Sequence, residues 1–203
     1  MTKIILATRN RHKAGELKFF FNGFDIEILN VDDVAPDLEL REDGTTFEEN
    51  ALQKAMTVYQ KTGMLALADD SGLEVYYLNG RPGVYSARYA GKVTDDDKNN
   101  QKLLAEMRGV PPRRRRAQFR SVLALTGKGI REVTEGICPG VLGEFPRGTN
   151  GFGYDPIFIP DGFKKTYAEL TAEEKNRISH RSRSFEKMSE RVRKLLNVSG
   201  NGR

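Results

Sequence analysis

The stretch MLALADDSGLEV, residues 64–75, places two aspartates directly after an apolar run. Residues 64–68 have the pattern of a buried strand, and an isolated carboxylate is costly to remove from water. One interpretation is a turn at Asp-Ser-Gly, which would separate this strand from another at 73–78. The other is a metal site, because adjacent carboxylates at the end of a strand suit a hard cation such as Mg²⁺. The stretch alone leaves both interpretations open.

Length and composition describe an ordinary folded chain. Of its 203 residues, 38% are hydrophobic and 30% are charged, which excludes a disordered chain. No apolar run reaches the roughly 20 residues that span a membrane, and the N-terminus has no signal-peptide layout. The single cysteine, Cys138, cannot form an internal disulfide. We expect one domain over residues 1–203, a cytoplasmic location and a frayed tail at 197–203.

The charge of the chain favours anionic partners. The formal net charge is +5, which suits nucleotides, nucleic acid or phosphorylated metabolites. Four arginines occupy residues 113–116, and further basic residues crowd the last predicted helix. Such a block is typical of a solvated loop leading into a strand. A basic nucleic-acid-binding module is nevertheless one alternative function.

Hydrophobic periodicity predicts a mixture of strands and helices. Strands are predicted at 3–7, 25–30, 64–68, 73–78 and 156–160, with a hairpin formed by 117–127 and 130–140. Helices are predicted at 12–21, at 47–61, from a cap at Thr94 to about Gly109, and twice in the C-terminal region. Capping boxes are predicted at Thr46 with Glu49 and at Thr171 with Glu174. The pattern indicates an α/β fold with a mixed sheet in two lobes.

Two polar turns in the first quarter of the chain are candidates for binding. LATRNRHKAGEL puts a turn between the first strand and the first helix, where free N–H groups and Lys13 suit phosphate oxygens. Alternatively, Thr8 or Asn10 only caps this helix. Glu42, in the turn before the second predicted helix, either joins Asp70 around a cation or is an ordinary surface glutamate.

Two later stretches combine glycine, aromatic and basic residues. In GTNGFGYDPIF, residues 148–158, glycines let the backbone approach a ligand. Phe152 and Tyr154 offer faces on which a base can stack, or they are core residues. In EEKNRISHRSRS, Lys175 and Arg181 can donate to a carbonyl-bearing base edge, whereas a lone histidine such as His180 is more often structural.

In combination and in this order, these stretches resemble the inosine/xanthosine triphosphate pyrophosphatases, a family that removes deaminated purine nucleotides from the precursor pool. The matching motifs cover nearly the whole chain: TRNRHK at 8–13, EDGTTFEENA at 42–51, ADDSGL at 68–73, PGVYSARYAG at 82–91, GFGYDPIF at 151–158 and SHR at 179–181. The resemblance implies a strongly twisted mixed sheet flanked by helices, in two lobes with the active site in the cleft between them. It also implies a homodimer and Mg²⁺ as the cofactor.

The reaction that the resemblance implies is hydrolysis of ITP, dITP or XTP between the α- and β-phosphates, giving the monophosphate and pyrophosphate. It makes Asp70 the catalytic residue, which holds Mg²⁺ with Glu42 and helps to activate the attacking water. Asp69 then supports the site or binds a second cation, and which of the two aspartates is the base stays open. A pyrophosphatase of similar fold for other modified nucleotides is the nearer alternative.

The same resemblance implies three groups of substrate contacts. The phosphate contacts are Thr8, Arg9, Asn10, Arg11, His12, Lys13 and Lys54. The nucleoside contacts are Ser71, then Phe152 stacked on the base, with Gly153, Tyr154 and Asp155 completing that wall. The contacts to the purine edge are Lys175, His180 and Arg181.

Overall fold

A computed structural model of the chain describes residues 2–200, with side chains described as far as residue 195. The strands are β1 Thr2–Leu6, β2 Ile26–Asn30, β3 Leu65–Val75, β4 Arg116–Gly127, β5 Ile130–Leu142 and β6 Phe158–Pro160. The helices are α1 Arg11–Phe20, α2 Val31–Val34, α3 Phe47–Thr62, α4 Asp96–Glu106, α5 Ala172–Ile178 and α6 His180–Gly200. Within the described residues, no helix is long and apolar enough to cross a membrane.

The strands form one mixed sheet in the order β2-β1-β3-β4-β5-β6. β1 pairs in parallel with β2 and β3, whereas β5 pairs antiparallel with β6. β4 and β5 are neighbours joined by the short turn at Lys128 and Gly129, as the sequence predicted. The predicted α/β fold class with a mixed sheet flanked by helices is therefore confirmed.

The turn interpretation of Asp70, Ser71 and Gly72 is wrong, because β3 runs without a break through all three residues. The turn preference of Asp-Ser-Gly is a local one, and pairing with flanking strands overrides it. β3 lies between β1 and β4 in the sheet. The two aspartates are therefore residues within a central strand, and Asp69 is completely buried.

Other element boundaries also differ from prediction. The N-cap of α4 is Asp95 rather than Thr94, because the Asp95 carboxylate accepts the Lys98 N–H at 3.0 Å. Residues 76–78, predicted as strand, form a 3₁₀ turn. Helix α6 continues to Gly200 across part of the tail predicted to fray, and residues 201–203 of that tail lie outside the described residues.

The chain divides into two compact units. The first unit is Met1–Asp70, Ser121–Gly136 and Arg181–Arg203, and the second is Ser71–Arg120 and Ile137–His180. β3, β4 and β5 contribute residues to both units, and the expectation of a single domain stays a prediction.

Each unit has an apolar cluster of its own. In the first unit, the predicted stripe on α6, formed by Phe185, Met188, Val192 and Leu195, packs with residues of α1, β1, β3 and β4. In the second unit, the core includes Leu73, Leu103, Phe158 and Tyr167, together with the single cysteine, Cys138. Both clusters follow from burial of apolar faces that the periodicity of the sequence predicted.

Directly after the aspartates, β3 requires a residue without a side chain. A Cβ at Gly72 would lie 2.4 Å from Ser86 Oγ and 2.5 Å from the Gly83 carbonyl oxygen. Because residues 83–86 lie so close to β3, Ser86 Oγ can accept the Leu73 N–H at 2.9 Å, and it also donates to the Gly83 carbonyl at 2.6 Å. Gly72 thus fixes residues 83–86 against β3 within the second unit.

We expect Gly72→Ala to lower the free energy of unfolding by about 1–3 kcal/mol, the usual cost of overpacking, since all three of the nearest atoms belong to the backbone or to the short Ser86 side chain. Gly15→Ala is the matched control. No atom lies within 4 Å of a Cβ at helical Gly15, so this change is expected to stabilise the chain slightly. Urea unfolding of both variants measures the difference, and equal stabilities would contradict the packing argument.

Candidate active site

Asp69 is a buried anion with compensating cations in the first unit. Its Oδ2 lies 3.1 Å from Lys13 Nζ and 3.3 Å from Arg181 Nε, and its Oδ1 accepts the Ser121 hydroxyl at 2.7 Å. Burial by itself would raise the pKa of Asp69, but the charges of Lys13 and Arg181 and the Ser121 hydrogen bond outweigh it and lower the pKa. Asp69 therefore stays ionised in the folded chain.

A second group of side chains holds the cations in place. Arg181 Nη1 donates to Glu16 Oε2 at 2.8 Å, so the guanidinium bridges two carboxylates. Glu16 lies one turn after Lys13 on α1, which orients both toward the same place. On the other side, Ser121 Oγ lies 3.0 Å from Ser184 Oγ, which links β4 to α6. These hydrogen bonds and ion pairs hold the Asp69 carboxylate of β3 in one position.

Asp70 has a different environment. Its Oδ2 accepts the Asn50 amide at 3.1 Å, and its Oδ1 lies 3.3 Å from Lys54 Nζ. Burial raises the pKa of Asp70 by more than the Lys54 and Lys13 charges lower it. The two adjacent aspartates thus have pKa values shifted in opposite directions, a pattern found where one carboxylate moves a proton and the other stays charged.

Three oxygen atoms converge on the ammonium group of Lys54. They are a carboxylate oxygen of Glu42, the Asp69 carbonyl oxygen at 2.8 Å and Asp70 Oδ1 at 3.3 Å. Burial would lower the pKa of Lys54, but the charges of Asp70 and Glu42 raise it, so the lysine stays protonated. Glu42 and Asp70 thus both lie at the Lys54 ammonium, and their expected role as ligands of a metal cation stays a prediction.

The same oxygens suit a hard cation. Among residues 2–200, no three His, Cys, Asp or Glu side chains converge as a complete set of metal ligands. Mg²⁺ does not need such a set, since it is commonly held by one or two carboxylates together with water and substrate phosphates. Glu42 and Asp70 therefore fit Mg²⁺ in their chemistry and number.

At the start of α1, the capping interpretation is correct for Asn10. Its Oδ1 accepts the N–H groups of His12 and Lys13 at 3.0 and 3.1 Å. These two N–H groups are occupied, which corrects the expectation that the helix start offers them to phosphate. Thr8 Oγ1 accepts the Asn10 N–H at 3.2 Å, whereas the Arg11 and His12 side chains are exposed.

Arg9 is engaged on the protein side. It pairs with Asp32 and donates to the carbonyl oxygens of Pro36 and Leu38, the latter two at 2.6 and 2.9 Å. These bonds connect the turn after β1 to the segment after α2. Of the basic residues predicted to contact phosphates, Lys13 and Lys54 are the two that lie beside the aspartates.

In the second unit, the structure brings Phe152, Asp155 and Lys175 together. Asp155 Oδ2 accepts the Phe152 N–H at 3.0 Å and the Lys175 ammonium at 2.6 Å. Lys175 Nζ also lies 4.9 Å from the centroid of the Phe152 ring. Phe152 is only partly buried, so an aromatic face and a cationic donor lie side by side.

Tyr154 and His180 belong to the core of the second unit. Tyr154 is 3% exposed and donates its hydroxyl to the Ser86 carbonyl at 2.9 Å, so its ring offers no stacking face, which corrects that expectation. The buried His180 ring stacks on Phe119 with centroids 4.7 Å apart. The role of His180 at the purine edge stays a prediction. Ser71 is partly exposed on β3, and its predicted contact with the nucleoside also stays a prediction.

The arginine block at 113–116 is not a uniformly solvated loop. Arg115 is buried and donates to the carbonyl oxygens of Leu142, Met107 and Gly143 at 2.9, 2.8 and 2.6 Å. Arg116 forms a two-pronged pair with Asp161 at 2.6 and 2.8 Å. Arg115 is therefore used inside the protein and Arg116 is paired at the surface, which weakens the support that the block gives to a nucleic-acid-binding module.

Sequence reasoning missed several residues of the site, above all Asn50, Glu16 and Ser121. Asn50 and Lys54 lie one turn apart on the buried face of α3, among Phe47, Ala51, Ala55 and Val58. Polar residues at apolar positions of an amphipathic helix were the available signal. For Ser121, one of several polar residues of β4, the sequence carried no comparable spacing.

The fold and the site define a class: a mixed α/β protein whose paired carboxylates and ammonium groups suit phosphate chemistry. Comparison with known proteins identifies the family. The model of the Ham1 family matches residues 4–191, and the chain belongs to this family. The resemblance found in the motifs is thereby confirmed.

Similar proteins cover nearly the whole chain. The dITP/XTP pyrophosphatase of Clostridium perfringens is 45% identical over 97% of this chain and 100% of that protein. The dITP/XTP pyrophosphatase of Elusimicrobium minutum is 50% identical over 94% of this chain and 100% of that protein. The solved structure of the Staphylococcus aureus Ham1 protein has a TM-score of 0.87 and 37% identity, covering 96% of this chain and 100% of that one.

We expect Asp69→Asn to destabilise the fold by about 3–5 kcal/mol, because it leaves the partly buried Lys13 without its carboxylate and the buried Arg181 with Glu16 alone. The isosteric Asp70→Asn is the matched control on the next residue. Because the pKa of Asp70 is raised in the folded state, its ionised form costs folding free energy at neutral pH, and a neutral amide removes that cost. We expect a change within about 1 kcal/mol. Urea unfolding without nucleotide or metal compares the free energies of unfolding of the two variants. Similar losses in both would contradict the conclusion that Asp69 and Asp70 lie in different environments.

Proposed function

We propose that this chain hydrolyses deaminated purine nucleoside triphosphates, namely ITP, dITP and XTP, to the monophosphate and pyrophosphate. The observation that carries the proposal is the geometry of the two aspartates on β3, one bonded to two cationic side chains and a hydroxyl and the other beside a buried lysine and an amide. The proposal is also supported by near-full-length relatives that bear the name dITP/XTP pyrophosphatase. A nucleoside triphosphate panel, assayed for pyrophosphate and monophosphate, tests it, and equal turnover of all purines would contradict it.

In this proposal Asp70 is the base and Asp69 is the fixed anion. Asp69 has its carboxylate oxygens bound by Lys13, Arg181 and Ser121, so it has little capacity left to accept a proton. Asp70 has a raised pKa, which gives its carboxylate a higher proton affinity. A carboxylate oxygen of Asp70 would take a proton from the water that attacks the α-phosphorus. The bond from the α-phosphorus to the oxygen that bridges it to the β-phosphate would break, and pyrophosphate would leave with that oxygen.

Lys13 and Lys54 would bind the phosphates. Both ammonium groups already lie beside carboxylates of the site, at 3.1 Å from Asp69 and 3.3 Å from Asp70. A triphosphate would bring additional negative charge to Lys13, whose ammonium can be shared because its three donors point in different directions. The donors of Lys54 already point at Glu42, Asp69 and Asp70, so Lys54 would act on the phosphates through its charge. The exposed Arg11 and His12 would extend this basic surface.

Glu42 and Asp70 would hold Mg²⁺, which when bound supplies positive charge that offsets the charge of the triphosphate. Without the ion, the negative charges of Glu42, Asp70 and the phosphates would repel one another. We therefore expect activity to need a divalent cation. Assays with a chelator and with re-added Mg²⁺ measure this dependence.

Base recognition would rest on Phe152 and Lys175. The Phe152 ring would stack on the purine, and the neighbouring Lys175 would donate to the 6-oxo group that inosine and xanthosine carry. Adenine presents an amino donor at that position, so a fixed cationic donor discriminates against it. Arg181 was expected to share this role, but its guanidinium pairs with Asp69 and Glu16. We propose that Arg181 instead holds Asp69.

The assembly and location also remain proposals. We propose a homodimer and a cytoplasmic location, both carried over from the family resemblance. The one cysteine, Cys138, is buried and not part of a disulfide, which agrees with a reducing compartment. Sedimentation of the purified chain measures the oligomeric state directly.

We expect Asp70→Asn to lower kcat by about a hundredfold or more, the usual loss on removing a general base, with the fold intact. Triphosphate binding should persist, because Lys13 and Lys54 are unchanged. Steady-state kinetics with ITP and a binding titration give both quantities. Retention of more than about a tenth of the original activity would contradict the assignment of Asp70.

We expect Lys175→Met to shrink the ratio of kcat/KM for ITP over ATP about tenfold, the effect of one charge-assisted hydrogen bond. Arg181→Ala is the comparison. If it acts through Asp69, it should lower kcat/KM for both nucleotides by a similar factor and lower the melting temperature. A changed ITP-to-ATP ratio in Arg181→Ala with an unchanged one in Lys175→Met would reverse the two assignments.

A further inference from the structure

Helix α4 holds both polar groups of one residue in the loop that carries Phe152. Asp96 Oδ2 accepts the Gly153 N–H at 2.6 Å, and the Asn100 side-chain amide donates to the Gly153 carbonyl at 2.8 Å. Asp96 and Asn100 lie four residues apart on α4, so they project from the same face of the helix. Gly153 has a φ of 62°, a left-handed conformation that glycine adopts without strain.

These two bonds fix the backbone directly after Phe152. On its other side, the Phe152 N–H donates to Asp155 Oδ2 at 3.0 Å, and the next aromatic residue, Tyr154, is anchored through its hydroxyl to the Ser86 carbonyl. The Phe152 ring itself is only partly buried. Packing therefore contributes less to its orientation than these backbone bonds do.

The helix that provides the bonds is itself well anchored. Asn99, beside Asn100, accepts the Ala90 N–H at 2.7 Å and donates to the Ala87 carbonyl at 3.1 Å. Leu103 and Met107, further along, are fully buried in the core of the second unit. A side chain on α4 is therefore a fixed reference point for the loop at 151–155.

We infer that Asp96 and Asn100 are positioning residues that set the angle at which Phe152 meets the purine base. Neither residue touches the substrate in this proposal. They act through the peptide groups of Gly153, and so govern substrate binding rather than the chemical step at Asp70. The inference rests on the stacking role proposed for Phe152.

Steady-state kinetics of Asp96→Ala and Asn100→Ala with ITP test the inference. We expect each variant to raise KM about three- to tenfold, the loss expected for one hydrogen bond, while kcat stays within about twofold. Asp96→Asn keeps a side-chain oxygen that can accept the Gly153 N–H, so it should restore most of the original KM. If Asp96→Ala fails to fold, Asn100→Ala carries the same test from the other bond.

Asp95→Ala is the matched control. It removes the N-cap of the same helix without touching Gly153, since the Asp95 carboxylate accepts the Lys98 N–H. We expect it to lower the melting temperature and leave KM unchanged. A rise in KM for Asp95→Ala as large as that for Asp96→Ala would overturn the inference, because the effect would then follow helix stability alone.

A double-mutant comparison separates this inference from the stacking proposal. In a Phe152→Ala background, Asp96→Ala should raise KM no further, because the ring that it positions is gone. If Phe152→Ala raises KM but neither Asp96→Ala nor Asn100→Ala does, only the positioning role is overturned. If Phe152→Ala leaves KM unchanged, the stacking role fails and the positioning role fails with it.

Discussion

The burial of Asp69 in a central strand is the constraint on which the first unit depends. A carboxylate without solvent is stable only if opposite charge and hydrogen bonds replace the water. Lys13 from α1, Arg181 from α6 and Ser121 from β4 provide them. One charge therefore determines how two helices and a neighbouring strand are placed. Glu16 and Arg181, which are 165 residues apart in the chain, meet at that point.

The contrast between Asp69 and Asp70 follows from the same geometry. Successive residues of a strand point to opposite faces, so two adjacent carboxylates face different neighbours. One face offers a lysine, an arginine and a hydroxyl, and the other offers Asn50 and Lys54 of α3. Asp69 is bonded to two cationic side chains and a hydroxyl, whereas Asp70 meets one ammonium group and one amide. In the proposed reaction, Asp70 would therefore be the group that exchanges a proton and meets a cation. Had the stretch formed a turn, this separation by face would not exist.

In the second unit, function would depend on a different principle, namely the support of a partly exposed ring by buried polar contacts. Asp155, Lys175, Asp96 and Asn100 all bond to the short loop around Phe152. Such loops place recognition groups accurately when their backbone N–H and carbonyl groups are bound by rigid elements. Tyr154, by contrast, serves as an anchor in the core, although it lies two residues from Phe152 and has the same aromatic character.

The sequence by itself determined the elements with strong local signals: the amphipathic helices, the capping boxes at Thr46 and Thr171, the hairpin of β4 and β5, and the order of the family motifs. It did not determine that β3 continues through Asp69 and Asp70, because pairing with distant strands overrides the local turn preference. It also could not show that Arg115 is buried while Arg113 and Arg114 beside it are exposed, or that Arg181 contacts Glu16. These features depend on contacts between segments far apart in the chain, and the energy of a buried charge is decided by whatever the fold places beside it.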